Sequence, residues 1–301
     1  MNAADPRVDI PTEVYAKRKV ISVVTDCHFN PGLCDKLRAI LSIYSVCKKK
    51  GIPYHIFWDY PFNLCDYLIP NQYDWSINTE DVFWDSRVAV CEIERQPNLF
   101  FSRNIERHTV KTLIKTFKHL QLHIYSNTRF GECRFSKSYD ELFKPSPRLH
   151  DELSYHLNNI GGGYISVSLR FMELLGDFKD QEDVSQSLPE DDQEALIERC
   201  MEQLKRIIHR EAKGRRVFVA SDSRKFLDRA ATLPEVYTVP GDIVHVRYRG
   251  SEEAYMKTFV DLLLLRGADK RFLLKTGKMY NSFFPRFAAW IGNGKFELVE
   301  F

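Results

Sequence analysis

Apolar runs and amphipathic helical patterns alternate at the start of the chain. The run Lys19–Thr25 (KVISVVT) is rich in β-branched residues and predicts a strand. After a loop that ends at Gly32, apolar residues recur at helical spacing, at Leu33, Leu37, Ile40, Leu41 and Tyr44. Gly51 ends this predicted helix, and Ile52–Trp58 predicts the next strand. A strand, a helix and a strand in this order predict a βαβ unit with a parallel sheet.

The middle of the chain, residues 60–150, is less regular. Short strands are predicted near Val88–Ile93 and Leu99–Phe101, and an amphipathic helix near Ile105–Leu120.

Regular alternation returns after Pro145 and Pro147. An exposed acidic loop, Asp177–Asp192, is expected to lead into a long helix. The other predicted elements are helix Leu149–Leu157, strand Tyr164–Leu169, strand Val217–Ala220, helix Arg224–Ala231, a strand near Val236, helix Glu252–Leu265, strand Phe272–Leu274 and helix Phe283–Ile291. We therefore expect an α/β fold with two Rossmann-like lobes, residues 1–150 and 151–301, facing across a cleft. Ligands of such sheets bind beyond the carboxyl ends of the strands.

Composition narrows the class of protein. With 44% hydrophobic and 28% charged residues, the 301-residue chain has ordinary globular usage, which excludes a mainly disordered protein. The net charge of only +2 does not indicate a nucleic-acid partner. The seven cysteines are scattered without a C-x-x-C pair, which favours reduced thiols in a cytoplasmic protein. Transmembrane segments and a secretory signal are not expected, and peripheral association with a membrane stays open.

Two loops that follow predicted strands carry candidate chemistry. Gly32, Asp35 and Arg38 lie where a loop enters a helix, and free N–H groups at a helix N-terminus favour anions; an ordinary βα turn is the alternative. Arg170 follows the strand YISVSL and offers a planar fork to a diphosphate. The alternative for Arg170 is an internal ion pair with Glu173 or with Asp177.

Two further loops resemble nucleotide contacts. Asp222 and Ser223 follow the strand VFVA. They are expected either to bind a nucleotide or to cap the next helix, and in the second case Asp222 is the expected N-cap. In the segment KTGKMYNSF, the residues Asn281, Ser282 and Phe283 precede a helix and suit a phosphate, although the order of a Walker motif is absent.

Two other patterns point to no site. The glycines at 161–163 precede a strand, so they are not a dinucleotide fingerprint. His119 and His123 have helical i, i+4 spacing, but HLQLH lacks the glutamate of a zinc protease and a third ligand, so no metal site is expected.

Taken in order, the four loops resemble motifs of the fucosyltransferase-like superfamily, which includes bacterial α-1,2- and nodulation α-1,6-fucosyltransferases and protein O-fucosyltransferases. Residues 32–39 (GLCDKLRA) resemble the motif G-x-G-N-x-[LM]-x-[AS], with Cys34 in place of the second glycine. Residues 168–173 (SLRFME) resemble H-x-R-R-x-D, with Ser168 and Phe171 replacing the histidine and the second arginine. VFVASDS resembles a strand followed by [ST]-D-D, and the segment from Asp261 to Phe283 resembles the fourth motif.

The resemblance implies an inverting glycosyltransferase that needs no cofactor or metal, with GDP-fucose as the favoured donor and a glycan as acceptor. It implies that the first lobe holds the acceptor and the second the donor. Arg170 is then the group that meets the diphosphate charge. Glu173 is the candidate base by motif position, with Asp35 and Asp177 as the alternatives. The expected donor-binding residues are Gly32, Asp35, Arg38, Ser168, Asp222 (to base or ribose), Ser223, Asn281, Ser282 and Phe283. Two alternatives stay open: a catalytically silent glycan- or nucleotide-binding relative of the same fold, and an unrelated α/β nucleotide-binding protein.

Overall fold

Two parallel sheets, each in its own unit of the chain, organise the computed structural model, which describes residues 18–26, 31–94, 110–130, 132–177, 187–242 and 250–301. The first unit comprises the residues up to Cys65 together with Ile69–Lys144, and the second comprises Asp66–Leu68 with Pro145–Phe301.

The sheet of the first unit has the strand order β2-β1-β5-β4, and all its strands are parallel. The strands in this half of the chain are β1 (Lys19–Val24), β2 (Tyr54–Trp58), β3 (Leu68–Pro70), β4 (Ala89–Glu94), β5 (Gln121–Ser126) and β6 (Phe143–Pro145), and the helices are α1 (Leu33–Lys50) and α2 (Phe135–Leu142). Residues 110–116 are also helical, and β3 pairs with β6 in a separate two-stranded sheet.

Local chemistry explains the βαβ unit. Asp35 in the first turn of α1 and three lysines in its last turn complement the helix dipole. Gly51 ends the helix at φ 64°, a left-handed conformation that glycine adopts without steric cost. The βαβ unit predicted for the start of the chain is confirmed.

The sheet of the second unit has the order β11-β10-β7-β8-β9, again all parallel. Its elements are α3 (Pro147–Ile160), β7 (Ile165–Leu169), α4 (Glu190–Ile207), β8 (Val217–Ser221), α5 (Arg224–Ala230), β9 (Val236–Tyr237), α6 (Glu252–Gly267), β10 (Lys270–Lys275), α7 (Phe284–Gly292) and β11 (Lys295–Glu300). The chain runs outward from β7 to β9 and then returns to place β10 on the other side of β7. The strand order therefore reverses between β7 and β10, and such a switch point is where doubly wound sheets bind ligands.

The predicted α/β class with parallel sheets is confirmed, but five of the elements named above, β3, β5, β6, β11 and α2, were not predicted. Strand β5 was missed because its alternation follows directly on the helical pattern that was extended to Leu120. Helix α2 lies in the irregular middle of the chain, and β11 is an edge strand whose residues are only partly buried, so it lacks an apolar run. The predicted strand Leu99–Phe101 and the start of the predicted helix at Ile105 lie outside the described residues.

A buried arginine fixes the end of α6 in the second unit. The Arg271 Nε donates to the carbonyl oxygen of Leu265 over 2.6 Å, and its Nη2 donates to that of Arg266. These carbonyl groups belong to the last turn of α6, where no helical partner exists. Arg271 therefore closes the C-terminus of this helix from the neighbouring strand.

Gly294→Ala is expected to destabilise the second unit by about 2 kcal/mol, because the new Cβ would overlap the guanidinium of Arg271. Backbone strain does not contribute, since Gly294 is not among the residues with positive φ. Gly163→Ala is the matched control, because its Cβ would lie 3.1 Å from the end of the Asp269 side chain, which can move aside. Thermal unfolding of both variants checks the prediction, and equal melting temperatures would contradict it.

Candidate functional site

The loops after β7 and β10 meet at the switch point of the second sheet. Arg170 follows β7 directly, and its carbonyl oxygen accepts a hydrogen bond from the backbone N–H of Tyr280 over 3.0 Å. Tyr280 lies in the loop that follows β10 and is itself exposed. Arg170 therefore lies at the carboxyl edge of this sheet, directly after the strand, as its sequence position predicts.

Asp222, directly after β8, holds the loop that carries Arg170. Its Oδ1 accepts from the backbone N–H of Phe171 over 2.8 Å, and its Oδ2 from that of Met172 over 2.7 Å. The Nε of Arg170 lies 3.3 Å from the same Oδ2. The Asp222 side chain is 1% exposed and that of Arg170 is 18% exposed. Burial raises the pKa of Asp222, while the Arg170 charge and the backbone N–H groups act in the opposite direction.

Asp222 is thus an ion-pair partner of Arg170 that was not expected from the sequence. Asp177 is engaged elsewhere, because its Oδ2 accepts from the Ser223 hydroxyl and from the Lys225 N–H, each over 2.8 Å. Asp222 is the ion-pair partner because the parallel pairing of β7 with β8 brings their carboxyl ends side by side.

The expected helix cap is also displaced by one residue. Ser223, and not Asp222, is the N-cap of α5, since its Oγ accepts from the N–H of Phe226 over 3.1 Å. The same hydroxyl donates to Asp177. Ser223 therefore caps α5 in the free protein, and its contact with the donor stays a prediction.

The three other residues of the second motif are buried. The Ser168 side chain is 5% exposed, and its hydroxyl has no hydrogen-bond partner within the described part of the chain. Phe171 is fully buried and packs against Phe226, with ring centroids 5.2 Å apart. Glu173 is 8% exposed. The position where the family motif has its second arginine is thus part of the hydrophobic core.

The fourth predicted segment leads into α7. Ser282 Oγ accepts from the N–H of Phe284 over 3.3 Å, and Phe283 stands at the N-cap and packs edge-on against Trp290 at 5.0 Å. Asn281 is exposed. Because Ser282 N–H donates to the carbonyl of Tyr280, this segment lies on the same edge of the sheet as Arg170.

Two residues at this edge were not singled out in the sequence. The Thr276 Oγ1, just after β10, accepts from an Nη of Arg199 over 2.8 Å. Arg199 lies inside α4, so no strand end marks it; its contact with the loop after β10 depends on tertiary packing.

The first unit holds its own candidate residues at the carboxyl ends of β1 and β5. Gly32 is the N-cap of α1, and its carbonyl oxygen accepts from the N–H of Asp35 over 3.1 Å. Asp35 and Arg38 form an ion pair of 2.8 Å, and Arg38 Nε donates to the carbonyl of Asn127, after β5, over 3.1 Å. Burial raises the pKa of Asp35, and Arg38 acts in the opposite direction. The structure therefore brings these three residues together.

The histidine pair does not lie on a helix. His123 is buried in β5, where one ring nitrogen lies 2.8 Å from Gln121 Oε1, and burial lowers its pKa to about 4. In the described ranges, no group of three or more His, Cys, Asp or Glu residues is placed to hold a metal ion. The helices of these ranges are all too short or too polar to cross a membrane.

No protein-family model and no curated protein sequence matches the chain. Solved structures do match it. The fucosyltransferase NodZ from Bradyrhizobium is 16% identical, with a TM-score of 0.57, over 90% of this chain and 91% of NodZ. A NodZ α-1,6-fucosyltransferase soaked with GDP-fucose is 14% identical, with a TM-score of 0.57, over 91% and 92% of the two chains.

Two other structures extend this likeness. A mutant of Arabidopsis thaliana FUT1 in complex with GDP is 11% identical, with a TM-score of 0.57, over 95% of this chain and 73% of its own. POFUT1 in complex with GDP is 12% identical, with a TM-score of 0.53, over 95% and 98%. The resemblance in the motifs is thereby confirmed at the level of the fold, and this chain is a divergent protein with the fucosyltransferase-like fold.

Proposed function

We propose that this chain is an inverting glycosyltransferase that transfers a sugar from a nucleotide donor, with GDP-fucose favoured, to a glycan acceptor. The observation that carries the proposal is the position of Arg170. It lies at the switch point of a fold whose solved examples include proteins bound to GDP. Synthesis of a polysaccharide or glycoconjugate is the process that this activity would serve.

The chemistry assigns roles to the two loops of the second unit. Departure of a nucleoside diphosphate develops negative charge, which Arg170 would meet with its guanidinium. The segment Asn281–Phe283, at the start of α7, would add backbone and side-chain donors. Ser168 and Ser223 would contribute hydroxyl groups to the donor, and Asp222 would hold the loop that carries Arg170.

The acceptor side is proposed for the first unit. Gly32, Asp35 and Arg38, at the start of α1 in this unit, are proposed as further donor-binding residues. Glu173 would take the proton of the acceptor hydroxyl as a general base.

GDP binding is expected to be the same in a metal chelator as in magnesium, because Arg170 supplies the cation that faces the diphosphate. No Asp-x-Asp pair follows a strand in the sequence, although such acids are the usual ligands of a nucleotide-bound magnesium ion. Calorimetric titration of GDP under both conditions checks this. A large loss of affinity in chelator would contradict the metal-independent site.

The function itself is tested by mass spectrometry after incubation with GDP-fucose and a panel of glycans. The proposal predicts a fucosylated glycan together with released GDP. UDP- and CDP-sugars are the controls, and transfer from either one in preference to GDP-fucose would overturn the choice of donor.

A second candidate function is a silent binding relative, and one observation favours it. Phe171 occupies the core at the position of the second motif arginine, so one cation of the family motif is missing. This candidate predicts GDP or glycan binding without turnover in the same experiment.

A further inference from the structure

We propose that Asp222 is a positioning residue that acts on the donor through Arg170, without contact to the base or ribose. This inference rests on the proposed role of Arg170 in diphosphate binding. It changes the role expected for Asp222 from its sequence position.

The Asp222 carboxylate is buried among donors of the protein itself. Each oxygen accepts one backbone N–H, at 2.8 Å from Phe171 and 2.7 Å from Met172, and the Arg170 Nε lies 3.3 Å from Oδ2. The side chain is 1% exposed. A base or a ribose could therefore contact the carboxylate only after the loops around it had moved.

The Asp222 carboxylate contacts both the backbone of this short loop and the guanidinium group of Arg170. Met172 has φ 56°, and the N–H groups of two successive residues reach the same carboxylate. Arg170 immediately precedes these two residues, so its backbone is fixed relative to the Asp222 carboxylate that faces its side chain. The guanidinium orientation is thereby set before any ligand arrives.

Such pre-orientation matters for a planar cation. Two-pronged binding of a diphosphate needs a defined guanidinium plane, and an arginine that is already held loses less conformational freedom on binding. The Arg170 Nε donates to the Sδ of Met172 over 3.3 Å and lies 3.3 Å from the Oδ2 of Asp222, and the same carboxylate holds the backbone N–H of Met172. Asp222 is therefore inferred to affect GDP affinity by setting the orientation of the Arg170 guanidinium.

Asp177 provides a matched control in the same loop. It is also a carboxylate that takes a backbone N–H, but its partners are Lys225 and the hydroxyl of Ser223. Asp177→Asn should thus disturb the loop attachment and spare the orientation of Arg170.

A double-mutant cycle with GDP tests the inference. In the wild-type background, Asp222→Asn is expected to weaken GDP binding roughly tenfold. In the Arg170→Ala background, the same change should alter GDP affinity by less than about twofold, because the arginine through which Asp222 acts is absent. Asp177→Asn should change affinity by less than about twofold in both backgrounds. Equal losses from Asp222→Asn in the two backgrounds would overturn the positioning role.

The cycle also separates this inference from the proposed function. If the wild-type protein binds no GDP, or if folded Arg170→Ala binds it as the wild type does, the proposed role of Arg170 fails and the inference fails with it. If Arg170→Ala weakens binding while Asp222→Asn is additive, only the inference fails.

A measurement without ligand covers the case in which Asp222→Asn does not fold. The Nε–H signal of Arg170 in the nuclear magnetic resonance spectrum, assigned by its loss in Arg170→Lys, should exchange slowly with water. Arg206, whose side chain is 71% exposed, provides the fast reference. Equal exchange at the two arginines would contradict an Arg170 whose Nε–H is held by Asp222 and Met172 before any ligand binds.

Discussion

Arg170→Ala is expected to weaken GDP binding by about 1.5–3 kcal/mol, the usual contribution of a charge-assisted contact, while the fold survives. Arg170→Lys should restore the affinity only in part, because an ammonium keeps the charge and loses the planar fork. The alanine variant should also melt at a lower temperature, since Asp222 loses its cation and retains its two backbone N–H donors. Affinity and melting temperature are therefore measured on the same protein.

Arg206→Ala is the control for this variant, because Arg206 is an exposed arginine of α4 whose carboxylate partner is 4.0 Å away. It should leave both GDP affinity and stability nearly unchanged. A folded Arg170→Ala protein with wild-type GDP affinity would remove Arg170 from the site and take away the main support for a transferase.

Glu173→Gln is expected to lower kcat by roughly a hundredfold or more, since a positioned general base contributes about that much to a proton transfer. The amide keeps the size of the side chain and loses the proton acceptor. GDP affinity should stay unchanged, because Glu173 is assigned to the acceptor hydroxyl and not to the donor. Steady-state kinetics with an acceptor found in the turnover assay, together with GDP titration, check both parts.

Glu194→Gln is the matched control, since Glu194 is an exposed residue of α4 that forms an ion pair with Arg229 of α5. A kcat for Glu173→Gln within about threefold of the wild type would contradict the assignment and direct attention to the alternative bases, Asp35 and Asp177.

The architecture could be predicted from the sequence where a segment is buried and rich in β-branched and other apolar residues. Strand β7 (ISVSL) has five buried residues, of which three are apolar and two are serines, and an arginine follows it. This pattern predicted both the strand and the place of Arg170 at its carboxyl end. Strand β11 has no such pattern because it lies at an edge of the sheet, and a partly exposed strand gives a weak apolar signal.

The partners within the site could not be predicted from spacing. Asp222 is separated from Arg170 by 52 positions, and only the pairing of β7 with β8 brings them together. Glu173 and Asp177 are nearer in sequence and were the natural candidates for the ion pair. The choice of Asp222 is a consequence of tertiary structure, as is the contact of Arg199 with Thr276.

The measurement that tests the central claim most directly is calorimetric titration of the wild-type protein with GDP, UDP and CDP in the presence of a chelator. The account predicts saturable binding of GDP that exceeds the binding of the two pyrimidine nucleotides and is weakened in Arg170→Ala. Failure to bind GDP, or equal binding of all three nucleotides, would contradict a transferase that uses a GDP-sugar.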